Sequence, residues 1–280
     1  MFELIDCLWI ALGLILIVFV GFIYLIFPKK TKKTFPKIFA HRGLFNNIDV
    51  PENSMLSFEK AMESNFAIEL DIQLTKDHQI VVFHDLNLRR MCGIDFSLEG
   101  LTYNEINNYH LLNTNQKIPL LKDVLSLIAG KVTLLIEYKT KLPGQDVSKI
   151  CQMTHEILKN YQGDYLIESF DYNVLKWYRI FQPNIIRGQL SMGVQCYIPA
   201  MGRELAEKIP LRRRKMMSYL LFNFKSRPHF ISYRYQDIHT IVELNKKIGA
   251  KILCWTVTNK ETNDKLLEKY DAVISEQYLV

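Results

Sequence analysis

The chain has 280 residues, 49% of them hydrophobic, enough to bury one large core or two small ones. Its five cysteines (Cys7, Cys92, Cys151, Cys196 and Cys254) have no CxxC spacing and no matching set of histidines. That argues against a zinc site and a complete disulfide framework, and for reducing, cytoplasmic surroundings. The net charge of +6 sits in a lysine run at 29–37 (+5) and in residues 200–228 (+6), which leaves the remainder at −5. This distribution argues against nucleic acid as a partner and for an anionic lipid surface.

In chain order, Cys7 to Phe27 comes first, 21 residues without a charge. As a helix it would reach roughly 30 Å, a bilayer core. Trp9 and Tyr24 stand near its ends, where aromatic belts lie. A cleaved signal would want a basic start and a small-residue cleavage site; here Glu3 and Asp6 precede the run and Ile26-Phe27-Pro28 ends it. The expectation is a retained single-pass anchor over residues 1–28 and a basic linker over 29–37. Lys29, Lys30, Lys32, Lys33 and Lys37 would hold the body on the cytoplasmic face by the positive-inside bias.

Ile38-Phe39-Ala40 reads as a short buried strand that delivers His41-Arg42-Gly43 to a loop. Pro51-Glu52-Asn53-Ser54 opens a helix, with Asn53 or Ser54 as its cap. The next runs, 67–74 and 80–84, read as strands joined by a turn at 76–79. Ile68, Leu70, Ile72 and Leu74 alternate with Glu69, Asp71, Gln73 and Thr75, so one face carries two carboxylates. If the two runs pair, opposite residues have numbers summing to about 154, and His84 falls beside Leu70. Two readings fit this stretch: a solvated sheet face, or a site for an oxygen-loving divalent cation with a histidine left for acid–base work.

Residues 86–118 are polar and turn-rich, with a short helix starting at Thr102. Pro119 opens a helix to Ala129, and the run 132–136 is a buried strand delivering Glu137 and Lys139. Strands then read at 165–168, 185–190, 230–234, 251–257 and 272–275, alternating with helices near 147–160, 171–181, 236–247 and 260–269. With 80–84 set aside as an added antiparallel strand, eight strands alternate with helices, the pattern of a (β/α)₈ barrel. An open doubly wound sheet is the alternative, but no GxGxxG follows a strand. In a barrel, His41 and Arg42, Glu69 and Asp71, and Glu137 and Lys139 all gather at the C-terminal ends of strands, where active sites form. Between 185–190 and 230–234, Arg212-Arg-Arg-Lys215 precedes the apolar Met216–Phe224. That insertion, about 195–228, is either a core helix with a basic start or an interfacial segment beside the pocket mouth.

The order Ala40-His-Arg-Gly43, Pro51-Glu-Asn-Ser54, Glu69-Leu-Asp71, Thr75-Lys-Asp77, Val82-Phe-His-Asp85, Ile136-Glu-Tyr-Lys139 and Trp255-Thr-Val257 resembles the glycerophosphodiester phosphodiesterases. The resemblance runs from about Ile38 to the C-terminus and implies a TIM barrel of the phospholipase C-like phosphodiesterase type over 38–280. It implies His41 and His84 as general acid and base. Glu69, Asp71 and Glu137 would be ligands of a divalent metal cation, Mg²⁺ or Ca²⁺. Arg42 and Lys139 would contact phosphate, Glu52 would sit in the pocket and Trp255 would line it. Ser54, Tyr138 and Ser275-Glu276 depart from the usual Thr, Ile and Thr-Asp without removing a group the reaction needs. The implied activity is hydrolysis of glycerophosphodiesters to sn-glycerol 3-phosphate and an alcohol. A lysophospholipase D acting on lysophospholipids at the membrane, and a non-catalytic phosphodiester-binding membrane protein, are the alternatives. Asp85 is expected to orient His84 or cap the next helix, while His78, His110, His155, His229 and His239 have no partner pattern and read as structural.

Overall fold

The strand periodicity read from the sequence becomes one closed sheet. In a computed structural model describing residues 2–201 and 206–276, the strands are β1 (Ile38–Ala40), β2 (Ala67–Leu74), β3 (Ile80–Val82), β4 (Leu134–Tyr138), β5 (Tyr165–Ser169), β6 (Arg187–Ser191), β7 (Phe230–Arg234), β8 (Lys251–Val257) and β9 (Ala272–Ser275). Eight of them are parallel in the order β1-β2-β4-β5-β6-β7-β8-β9, and β1 pairs with both β2 and β9 to close the barrel. β3 is the antiparallel addition, with Ile72 opposite Val82 and Leu74 opposite Ile80, the expected register. It ends at Val82, two residues early, although the Phe83 N–H still donates to the Asp71 carbonyl in register; no ladder bond follows at His84. β4 starts and ends two residues later than its apolar run suggests, so Glu137 lies inside the strand and Lys139 just past it.

Alternation in the strands builds the interior in layers. Phe39, Ala67, Leu135, Leu166, Phe230, Leu253, Ala272 and Ile274 form one cluster inside the barrel. The opposite parity, including Ala40, Ile68, Leu70, Ile72, Leu134, Ile136 and Ile167, packs under the surrounding helices. At Gly188 a Cβ would run into the Phe230 ring, so the missing side chain is what lets that ring fill the centre. Two residues further up each strand, the same inward parity holds Glu69, Glu137, Glu168, Ser232 and Trp255: the apolar floor and the polar layer above it come from one period-two pattern.

The helices Met55–Glu63, Leu121–Ile128, Ser148–Leu158, Tyr172–Phe181, Thr240–Lys247 and Lys260–Lys269 surround the sheet. Ser54 caps the first of these in a capping box with Ser57, and Thr102 does the same with Glu105 for the short helix Tyr103–Ile106. The helix expected from 236 begins at Thr240, because Tyr235–Asp237 takes a 3₁₀ turn. In the segment between β6 and β7, Met217, Leu220 and Phe222 are buried and Phe222 stacks on Tyr172 at 4.2 Å. These apolar residues therefore belong to the core, the first of the two readings of that insertion.

The N-terminal helix, Phe2–Ile26, contains Ile5–Tyr24, a stretch long and apolar enough to cross a membrane and not buried in the body. Its last turns meet the barrel at residues 223–228. Phe22 lies 6.3 Å from Phe224, Arg227 lies 4.6 Å over the Tyr24 ring, and the Lys29 N–H donates to Pro228 at 2.6 Å. The linker then crosses the lower mouth, the end at which the parallel strands begin. Lys33 pairs with Asp164 at 2.9 Å, and Phe35 meets Phe230 edge-on at 5.3 Å as a plug.

Candidate active site

At the opposite, C-terminal end of the strands lies a cavity of about 800 Å³. His41, Arg42, Glu69, His84, Glu137, Lys139 and Trp255 line it, together with Asp85, Arg90 and Glu168. The sequence-predicted residues from β1, β2, β4 and β8 thus converge. Glu52 is the exception: it stands behind the wall, 4% exposed, where Arg42 Nη1 donates to it at 2.6 Å and Arg90 grips it through two nitrogens at 2.6 and 2.8 Å. Burial opposes its charge, but Arg90, Arg42 and Asn47 together bring its pKa down to about 2.

Glu69, Asp71 and Glu137 each offer a carboxylate oxygen, and the three oxygens lie within 4.8 Å of one another. All three side chains are buried. Burial and mutual repulsion push Glu69 well above the ordinary carboxyl range, and burial takes Glu137 to about 7 against the pull of Lys139. Asp71 is also penalised by burial, yet Lys139, His84 and Arg42 hold it well below its usual value. Lys139 Nζ sits 3.1 Å from Asp71 and 2.7 Å from Glu137, and Asn53 Nδ2 donates to the other Asp71 oxygen at 2.8 Å. Asp71 Oδ1 makes no aligned hydrogen bond, only the ion pair. A buried trio of acids, one of whose oxygens is held by an ion pair alone, suits a divalent, oxygen-preferring cation. The Arg42 N–H fixes Glu69 Oε2 at 2.9 Å; this requires Arg42 in the left-handed region, φ 55°, followed by Gly43 at φ 80°.

Each histidine is oriented through Nδ1: His41 by Glu276 at 2.7 Å and His84 by Asp85 at 2.7 Å. With Nδ1 engaged as donor, Nε2 is the nitrogen left for proton transfer. Burial, then Lys139 and Arg42, bring His84 down to about 4; burial and Arg42 also lower His41, with Glu276 opposing. Asp85 is itself clamped by Arg90 at 2.7 and 3.0 Å, and Gln73 Nε2 holds the carbonyls of Phe83 and Asp85 so that His84 is presented rigidly. Asp85 therefore does orient His84, as one of its two expected roles.

The sequence reading missed Glu276, Arg90, Asn53 and Glu168. Glu168 is buried beside Glu137 in register, with Oε2 unpartnered and its pKa raised mainly by burial. Its signal was available, since an acid closes the apolar run 165–168 as Glu137 closes its own. The Trp255 Nε1–H, also without a partner, and the Phe170 ring, edge-on to Trp255 at 5.7 Å, begin an apolar flank that continues through Leu190, Met192 and Tyr197.

Residues 41–277 match the model of the glycerophosphoryl diester phosphodiesterase family. A glycerophosphodiester phosphodiesterase of Caldanaerobacter subterraneus is 30% identical over 251 residues, covering 85% of this chain and 93% of the relative. A lysophospholipase D of Rattus norvegicus is 28% identical over 156 residues, 51% of this chain and 47% of the relative. Among solved structures, a phosphodiesterase of Oleispira antarctica in complex with the product sn-glycerol-3-phosphate superposes with a TM-score of 0.66 at 22% identity, over 86% of this chain and 92% of that one. A glycerophosphodiester phosphodiesterase of Thermotoga maritima gives 0.62 at 25% identity, over 87% and 95%.

Proposed function

The chain belongs to the glycerophosphoryl diester phosphodiesterase family, and we propose that it hydrolyses glycerophosphodiesters to sn-glycerol 3-phosphate and an alcohol in a divalent-cation-dependent reaction. One observation carries this reading. Two histidines, each held at Nδ1 by a carboxylate, stand in one cavity with three clustered acids and two cations. Held on Glu69, Asp71 and Glu137, Mg²⁺ or Ca²⁺ supplies positive charge against the phosphodiester anion and the charge that develops on it. Arg42 and Lys139 add fixed donors for the phosphate oxygens. One histidine accepts the proton of the nucleophile and the other returns a proton to the leaving alkoxide. Water serves as the nucleophile directly, or the neighbouring glycerol hydroxyl attacks first and expels the alcohol, giving a cyclic phosphate that water then opens to sn-glycerol 3-phosphate. Glu52 acts by keeping Arg42 in place, and Trp255 forms a wall for the substrate.

His41→Ala and His84→Ala are each expected to abolish turnover of glycerophosphocholine while calorimetric binding of Mg²⁺ persists; activity retained in either variant rejects the assignment. Chelation by EDTA should stop the wild-type reaction and metal add-back should restore it.

A second reading, hydrolysis of a lysophospholipid, draws support from the apolar flank Phe170-Leu190-Met192-Tyr197 and from the similarity to a lysophospholipase D. Comparing kcat/KM on glycerophosphocholine and lysophosphatidylcholine separates the two. We also place residues 1–28 in the membrane as a single-pass anchor, 29–37 as a basic linker and 38–280 as the catalytic body on the cytoplasmic face, on the strength of the apolar helix and the lysines after it. Protease added outside sealed cells that digests the body would reverse that orientation.

A further inference from the structure

The two basic blocks of the sequence lie at opposite ends of the barrel. Arg212–Lys215 belong to the helix Leu211–Ser218, on the catalytic side: the Met217 carbonyl accepts from Ser191 Oγ at the top of β6, and Arg213 donates to Tyr172 just beyond β5. The run 29–37 crosses the other end. Lys29 is fixed to Pro228 below β7, Lys30 lies against Gly249 below β8, and Lys33 is paired below β5. Topology adds to this lower face, because helices that alternate with parallel strands finish where the next strand starts. Lys131 follows the helix Leu121–Ile128 in this way, and Lys246 and Lys247 close Thr240–Lys247.

Acids at this end are largely used: Asp164 by Lys33, Glu156 by Lys159, Asp271 by Lys251 and Glu243 by Lys269. Glu63 and Glu268 remain. Among the described residues, Lys29, Lys30, Lys32, Lys131 and Lys247 have no carboxylate partner, and Lys246, over the Tyr270 ring at 5.9 Å, shares Glu243 with Lys269, so the face carries an excess of positive charge. The apolar helix leaves the body at this same face, docked through Phe22, Tyr24 and Lys29.

We propose that the lower mouth of the barrel is the surface that rests on a bilayer of anionic phospholipid, with the catalytic mouth turned away into water. The proposal rests on reading Ile5–Tyr24 as a membrane span. Tyr24 would sit at the interface, and Lys29 and Lys30 follow it closely enough to lie within a Debye length, ~8 Å, of the headgroups. The pocket would stand above the floor by at least the length of a five-residue strand, roughly 17 Å.

Hydrogen–deuterium exchange of the full chain in nanodiscs tests this, with discs of phosphatidylcholine alone compared with discs that also contain phosphatidylglycerol. The anionic lipid is expected to slow exchange about tenfold in 29–37, 128–133 and 245–250, and to leave 211–218 and the pocket loop 86–95 unchanged. A Lys131→Glu, Lys246→Glu, Lys247→Glu variant should lose that protection and still turn over glycerophosphocholine at the wild-type rate. Protection at 211–218 or 86–95 instead, or none in a chain that enters the discs, overturns the surface and leaves the span standing. A chain that does not enter the discs overturns the span, and the surface with it.

Discussion

The carboxylates behind the two histidines are not equivalent. Asp85 is shared between His84 and the Arg90 fork, which neutralises much of its charge, whereas among the described residues the Glu276 carboxylate bonds only the His41 imidazole. Glu276 opposes the downward shift of His41, which burial and Arg42 impose, through both its hydrogen bond and its charge. Glu276→Gln keeps a polar partner and removes the charge, so the His41 pKa should fall further. Whichever limb of the pH–rate profile His41 sets then moves to lower pH, and kcat drops about 10- to 100-fold. Glu276→Asp should recover part of both effects. An unchanged profile with unchanged kcat would show that the contact only packs the end of β9.

How much of this was legible follows from where the signals lie. Glu69 and Asp71 declare themselves through alternation within one strand, and His41, Glu137 and Lys139 each end an apolar run. Those are local patterns, and they carry most of the site. Glu276 reaches His41 from 235 residues away, and Arg90 reaches Glu52 across 38. Their meeting depends on barrel closure, which no local periodicity encodes. Glu52 shows the converse: a motif residue expected in the pocket lies behind it, where two guanidiniums and the Asn47 amide take up its acceptor capacity.

At the level of elements, the barrel order and the β2–β3 register were readable because strands buried on both faces are short apolar runs bounded by turns. The lower plug was not. Pro36 and Phe35 look like linker in the sequence, yet Phe35 joins the cluster of Phe39, Leu135 and Phe230 that floors the barrel. The linker is thus an element of the fold. Phe35→Ala should lower the stability of the body by about 2 kcal/mol, below the 3–5 typical of a fully buried Phe since this ring is only half-buried. The urea midpoint measures it. The catalytic rate on glycerophosphocholine should stay unchanged, because the apolar floor lies a full layer below the acids; a loss of rate at unchanged stability would place Phe35 in the site instead.

For the whole molecule, the plug fixes where a soluble body can be cut and the docked helix fixes what anchoring can do. A body starting at residue 29 keeps Phe35 and the Lys33–Asp164 pair; one starting at residue 38 loses both and should unfold at lower urea. If the catalytic mouth faces away from the bilayer, tethering brings the pocket no closer to lipids in that bilayer. Full-length protein in vesicles and the body over 29–280 in solution should then hydrolyse water-soluble glycerophosphocholine with kcat/KM within about twofold of each other, as a substrate arriving from water requires. Toward lysophosphatidylcholine in the same vesicles, the tethered form should also show no gain. A gain of about 100-fold would mean that the tether raises the effective concentration of lipid at the pocket, and the mouth would have to face the membrane. The two substrates measured on the two forms therefore read out orientation and substrate class together.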